Sequence, residues 1–115
     1  MENKIHYTPK ALKELDEIWD YIFSLTGSLD TAGRIVERII AAIDRLETFS
    51  HLGTPLSDAI PLERGYRFLV SGSYIIIYHV TKRDVYIDRV LYGRQDYLRL
   101  LFPDVSDGEN DNQNN

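Results

Sequence analysis

Between Leu12 and Phe23 the apolar residues Leu12, Leu15, Ile18, Trp19, Ile22 and Phe23 recur at spacings of three and four, with Lys13, Glu14, Asp16, Glu17 and Asp20 between them. That period places one apolar stripe along an amphipathic helix. Thr8-Pro9 supplies the start signal, a hydroxyl to cap the free N–H groups and a proline preset for the first turn, and Gly27-Ser28 stops the helix. Asp30 or Thr31 caps a second helix, in which Ile35, Val36, Ile39, Ile40, Ile43, Leu46 and Phe49 repeat the spacing as far as Leu52-Gly53. So short a connection makes the two an antiparallel hairpin, whose joint stripe needs a sheet face to cover it.

Either side of this hairpin the pattern changes. Lys4-Ile5-His6-Tyr7-Thr8 alternates as a short strand does, and after Gly65 the chain is dominated by Tyr, Ile and Val in three runs: Gly65 to Val70, Tyr74 to Val80 and Val85 to Arg94. The breaks, Ser71-Gly72-Ser73 and Lys82-Arg83-Asp84, are hairpin length, so the runs predict a three-strand meander. Thr54 to Arg64, with Pro55 and Pro61, reads as a loop, and Arg94 to Phe102 as a short C-terminal helix ended by Pro103. The expected fold is α+β: an N-terminal strand, then a helical hairpin packed on a small, mainly antiparallel four-stranded sheet.

A chain of 115 residues has room for one core, placed at residues 1–103 as a single domain. Residues 104–115 hold four acidic residues and no basic one, and lack the apolar anchors that would offset ordering entropy; they are expected to be a disordered acidic tail. The net charge of -5 hides an asymmetry, since residues 1–60 carry six basic and ten acidic groups, but residues 61–103 seven basic and four acidic. The strand-rich half is the basic half, and a sheet that presents guanidinium groups and phenols together suits phosphate or carboxylate partners. With no cysteine the chain has neither disulfide nor thiolate chemistry, which fits a cytoplasmic protein. It has no apolar run of about 18 residues and no signal-peptide pattern, so no membrane role is expected. It has no internal repeat, glycine-rich phosphate loop or metal-ligand spacing, and neither cofactor nor metal is expected.

The order of elements, the helix text Leu15-Asp16-Glu17-Ile18-Trp19-Asp20-Tyr21-Ile22, Gly65-Tyr66-Arg67 before a strand, Tyr74-x-Ile76-x-Tyr78, and Ile87-x-Arg89-Val90-Leu91-Tyr92-Gly93-Arg94 together resemble the RelE/ParE superfamily of bacterial toxins from type II toxin–antitoxin modules. The likeness covers about residues 4 to 102. It implies a small cytoplasmic growth-inhibiting toxin of plasmid-stabilisation type, neutralised by a cognate antitoxin whose extended segment wraps across it. The superfamily divides into two mechanisms, and a fold cannot choose between them. The RelE-like branch cuts messenger RNA on the ribosome; the ParE-like branch binds DNA gyrase and has no chemistry of its own.

A ribonuclease needs a base for the 2′-hydroxyl, a cation on the phosphate and an acid for the leaving group. By resemblance the candidates are Arg67, Arg94, Tyr92 and Tyr97. Yet Ile75 stands where RelE-like enzymes place a basic residue, Leu69 occupies the alternate position, and Tyr92 replaces a frequent His. A guanidinium worth a few kcal/mol in phosphoryl transfer is not replaced by an alkyl group. The favoured expectation is therefore a ParE-like toxin with no catalytic residues, whose antitoxin and target contacts fall on Arg67, Arg89, Arg94 and Arg99. The alternative is the ribosome-dependent endoribonuclease; a toxin fold that has lost its target and serves only its antitoxin is a third. The same residues also have structural readings: Arg67 as an ion-pair partner of Asp88, Tyr74, Tyr78 and Tyr86 as packing residues, Trp19 as core, and His79 with no carboxylate beside it in sequence.

Overall fold

The computed structural model describes residues 2–55 and 65–93. Strand β1 (Lys4–Tyr7) leads into helices α1 (Pro9–Thr26) and α2 (Leu29–Asp44), a short 3-10 turn (Arg45–Glu47), and strands β2 (Thr54–Pro55), β3 (Tyr66–Ser71), β4 (Tyr74–Thr81) and β5 (Asp84–Tyr92). The helices start and stop for local reasons. Thr8 Oγ1 accepts from the Ala11 N–H at 3.1 Å, Ser28 Oγ accepts from the Thr31 N–H at 3.1 Å, and Gly27 closes α1 in the left-handed region at φ 67°, donating to Phe23 O. The second cap is thus Ser28 and not Asp30 or Thr31, because a serine one residue before the first turn offers its oxygen to the N3 amide.

The strands form one sheet in the order β1-β5-β4-β3-β2. The meander is antiparallel as its turns predicted, with Arg67 opposite Tyr78 and His79 opposite Tyr86, whereas β1 joins β5 in parallel, Ile5 beside Val85. The sheet has five strands, one more than the pattern predicted. Thr54 and Pro55 sit opposite Phe68 and Arg67 at the edge, where a proline's missing N–H costs no ladder bond. The expected C-terminal helix lies outside the described residues.

Both helices pack on one sheet face. Leu15, Ile18, Ile22, Ile39, Ile43 and Leu46 meet Ile76, Tyr78, Val85, Ile87 and Val90 in a single buried cluster. Alternation sends the other residues to the opposite face, where Ile77 and Leu91 are buried beside Tyr66, Phe68 and Ile75. The predicted stripes were too wide: Leu12, Phe23 and Phe49 are exposed, because a helix lying on a sheet buries only the centre of its apolar arc. Trp19 is a marginal residue rather than a core one, half-buried against the cluster and stacked on Phe23 at 5.6 Å.

Burial also sets the behaviour of the phenols. The Tyr7 hydroxyl is pushed up to about 12, first by burial and then by the charges of Asp44 and Glu47, and burial raises Tyr74 and Tyr78 as well. A folded-state value raised above the unfolded one contributes stability that is complete below about pH 10 and is lost as pH rises toward 12. Urea unfolding across this window is expected to show stability falling with pH, and Tyr7→Phe to make the fall shallower. An unchanged slope in that variant would contradict the assignment.

Candidate functional site

The two described arginines of the predicted surface are both occupied within the fold. Arg67, at the start of β3, donates to Gly53 O at 2.7 Å and to His51 O at 3.3 Å. Beside it the fully buried Tyr78 phenol donates to Ser50 O at 3.0 Å and accepts the Gly53 N–H at 2.8 Å. Together the two side chains clamp the turn at residues 50–53 onto the sheet. Arg89 donates through Nε and Nη2 to Glu14 Oε2 at 2.9 and 2.7 Å, and Glu14 Oε1 accepts the Val90 N–H at 2.7 Å. The reason lies in the register: β1 ends at Tyr7 beside Ile87, so the far half of β5 lacks a strand partner there, and the carboxylate of α1 takes its place.

The expected Arg67–Asp88 pair does not form. Asp88 is the extra residue of a bulge between the Ile77–Arg89 and Tyr78–Ile87 pairs, and its carboxylate meets His79 Nδ1 at 2.6 Å. Burial raises the Asp88 pKa, and the bond and charge of His79 oppose that rise. His79 therefore has the carboxylate that the linear sequence did not reveal. It also belongs to a row of rings on the sheet face turned away from the helices: His6 of β1, Tyr86 of β5, His79 of β4 and Tyr66 of β3, with successive centroids 4.9, 5.0 and 5.1 Å apart. His6 is held in turn by Asp84 at 2.8 Å. No spacing in the chain signals this row, since it depends on the registers of three strand pairs.

At the other end of the sheet the β3–β4 hairpin separates two depressions that share Gly72 and Ser73 at its tip. An apolar groove of about 550 Å³ is lined by Phe68, Val70, Ile75, Tyr92 and Gly93. A cleft of about 250 Å³ on the helix side is bounded by Ile35 and Arg38 of α2 and by Ser71 and Tyr74. Tyr92, a candidate phenol by resemblance, is more than half exposed, 5.4 Å from the Tyr74 ring. Arg38, which the sequence reading passed over, is exposed and makes no hydrogen bond or ion pair among the described residues. Arg94, Tyr97 and Arg99 lie outside the described residues. Among the described residues no three His, Asp or Glu side chains gather as a metal-binding group, and no helix is long and apolar enough to cross a membrane.

Residues 5–97 match the family model described as the ParE toxin of the type II toxin–antitoxin system parDE. Toxin ParE1 of Mycobacterium tuberculosis is 32% identical over 102 residues, which cover 88% of this chain and all of that protein. A putative toxin of Sinorhizobium fredii, Y4kP, is 36% identical over 98 residues, 85% of this chain and 96% of its own. Among solved structures, a chain of the chromosomal ParDE toxin–antitoxin system from P. aeruginosa shares the fold with a TM-score of 0.66 at 23% identity, covering 81% of this chain and 98% of that one.

Proposed function

This chain belongs to the ParE toxin family of type II toxin–antitoxin systems, and we propose that it arrests growth by binding DNA gyrase and is held inactive by a cognate antitoxin. The observation that carries the binding mechanism is the state of Arg67. Phosphoryl transfer requires a guanidinium aimed at the phosphate, and here the corresponding side chain is turned to the carbonyls of His51 and Gly53 through Nη1. Leu69 packs on the main core and Ile75 on the second cluster, so two further cationic positions of the ribonuclease branch carry hydrocarbon. The basic C-terminal stretch with Arg94 and Arg99 is the proposed gyrase contact.

One observation favours the runner-up, a ribosome-dependent endoribonuclease: the His79–Asp88 pair is an imidazole oriented by a carboxylate, as a general base would be. A paired assay separates the readings. Purified toxin is expected to block gyrase supercoiling and to leave a coding message uncut on programmed ribosomes. Arg94→Ala with Arg99→Ala should lose the supercoiling block and keep the fold. Codon-dependent cleavage that disappears in His79→Ala would sink the gyrase mechanism and establish the nuclease.

A further inference from the structure

Resting on the toxin–antitoxin reading, we propose that the tip of the β3–β4 hairpin is a two-sided seat for an acidic amphipathic segment of the antitoxin. The segment would straddle Gly72-Ser73, place apolar side chains in the groove of Phe68, Val70, Ile75 and Tyr92, and bring a carboxylate to Arg38.

Three features of the surface converge on that occupant. The first is exposed apolar area: Val70 is 62% and Tyr92 56% exposed, and both line one groove, a placement that loses free energy in water and regains it when covered. The second is charge. Arg67 and Arg89 are engaged by carbonyls and by Glu14, whereas Arg38 lines the neighbouring cleft with no partner among the described residues. Arg34, one turn earlier, is answered by Asp30. An unanswered guanidinium in a cleft lined by Ser71, Ser73 and Tyr74 favours a carboxylate, the acceptor that matches its donors. The third is continuity. Both depressions share Gly72 and Ser73, a turn of only two residues, so one peptide crossing the tip reaches apolar and basic walls together. A purely apolar partner would leave Arg38 desolvated and unpaired, and a nucleic acid backbone would leave the apolar groove empty.

The test measures binding of purified full-length cognate ParD antitoxin to wild-type toxin and to Arg38→Glu, Arg38→Lys, Val70→Asp and Lys13→Glu variants, with melting curves to verify each fold. Arg38→Glu and Val70→Asp should each weaken binding by about tenfold or more, Arg38→Lys should retain most of it, and Lys13→Glu, the same charge change on exposed α1, should retain all. Raising salt should weaken the wild type more than Arg38→Glu. If Arg38→Glu and Val70→Asp fold and bind ParD like wild type, the seat is wrong and the toxin–antitoxin reading survives. If they bind ParD normally and lose gyrase inhibition, the hairpin belongs to the target, which equally overturns the proposal. If wild-type toxin fails to bind ParD at all, the toxin–antitoxin reading itself falls, and the seat with it.

Discussion

Replacement of Glu14 by alanine is expected to remove about 3 kcal/mol of stability, a large share of what holds so small a domain. One carboxylate performs two tasks: it neutralises Arg89, and it accepts the Val90 N–H that no strand meets. Its side chain is 13% exposed and that of Arg89 is 23%, so deletion strands a charge and a backbone donor in a poorly hydrated place. The remaining access of Arg89 to water keeps the cost near the low end for broken buried pairs. Glu14→Gln should be milder, because its amide oxygen still accepts from Val90. Denaturant midpoints of the two variants check this, and an alanine variant within 0.5 kcal/mol of wild type, about the margin of an ordinary surface substitution, would contradict it.

Gly53→Ala is expected to be about as costly, near 3 kcal/mol, and for a different reason. A Cβ at Gly53 would lie 2.6 Å from Phe68 O and 2.7 Å from the Tyr78 hydroxyl. Backbone on one side and a fully buried ring on the other leave little room for adjustment, so the turn must move off the sheet. Doing so breaks the Gly53–Tyr78 bond and pulls His51 and Gly53 away from Arg67. Gly33 provides the control: it lies inside α2 with nothing within 4 Å of a Cβ, and Gly33→Ala should raise stability by roughly 0.5–1 kcal/mol through helix propensity. Equal melting temperatures for the two alanine variants would show that the close approach at Gly53 carries no energy.

Both expectations arise where chain segments far apart in sequence meet, and local periodicity carries no information about such contacts. Arg67 and Asp88 looked like a pair because they are oppositely charged and lie on nearby runs of the meander. A bulge instead turns Asp88 toward His79, and the turn at residues 50–53 supplies Arg67 with carbonyls. Arg89 read as a surface cation, but β1 stops at Tyr7 and the exposed edge of β5 draws Glu14 over it. Arg67 and Arg89 thus tie neighbouring elements together, while Arg38, for which the sequence pattern gives no signal, has no partner among the described residues.

By itself the sequence determined the order of the first strand, the two helices and the three-strand meander, the α+β class, the strand turns and the family. Those follow from local periodicity, from Gly, Pro, Ser and Thr at helix ends and turns, and from motif text that survives without any knowledge of contacts. Tertiary structure alone decided the parallel pairing of β1 with β5, the short edge strand at Thr54–Pro55, the ring row from His6 to Tyr66 and which guanidinium groups stay available. The physical reason is that a side chain's type is set by the chain, whereas its partner is set by strand register. Here a one-residue bulge is enough to turn the Asp88 carboxylate to His79.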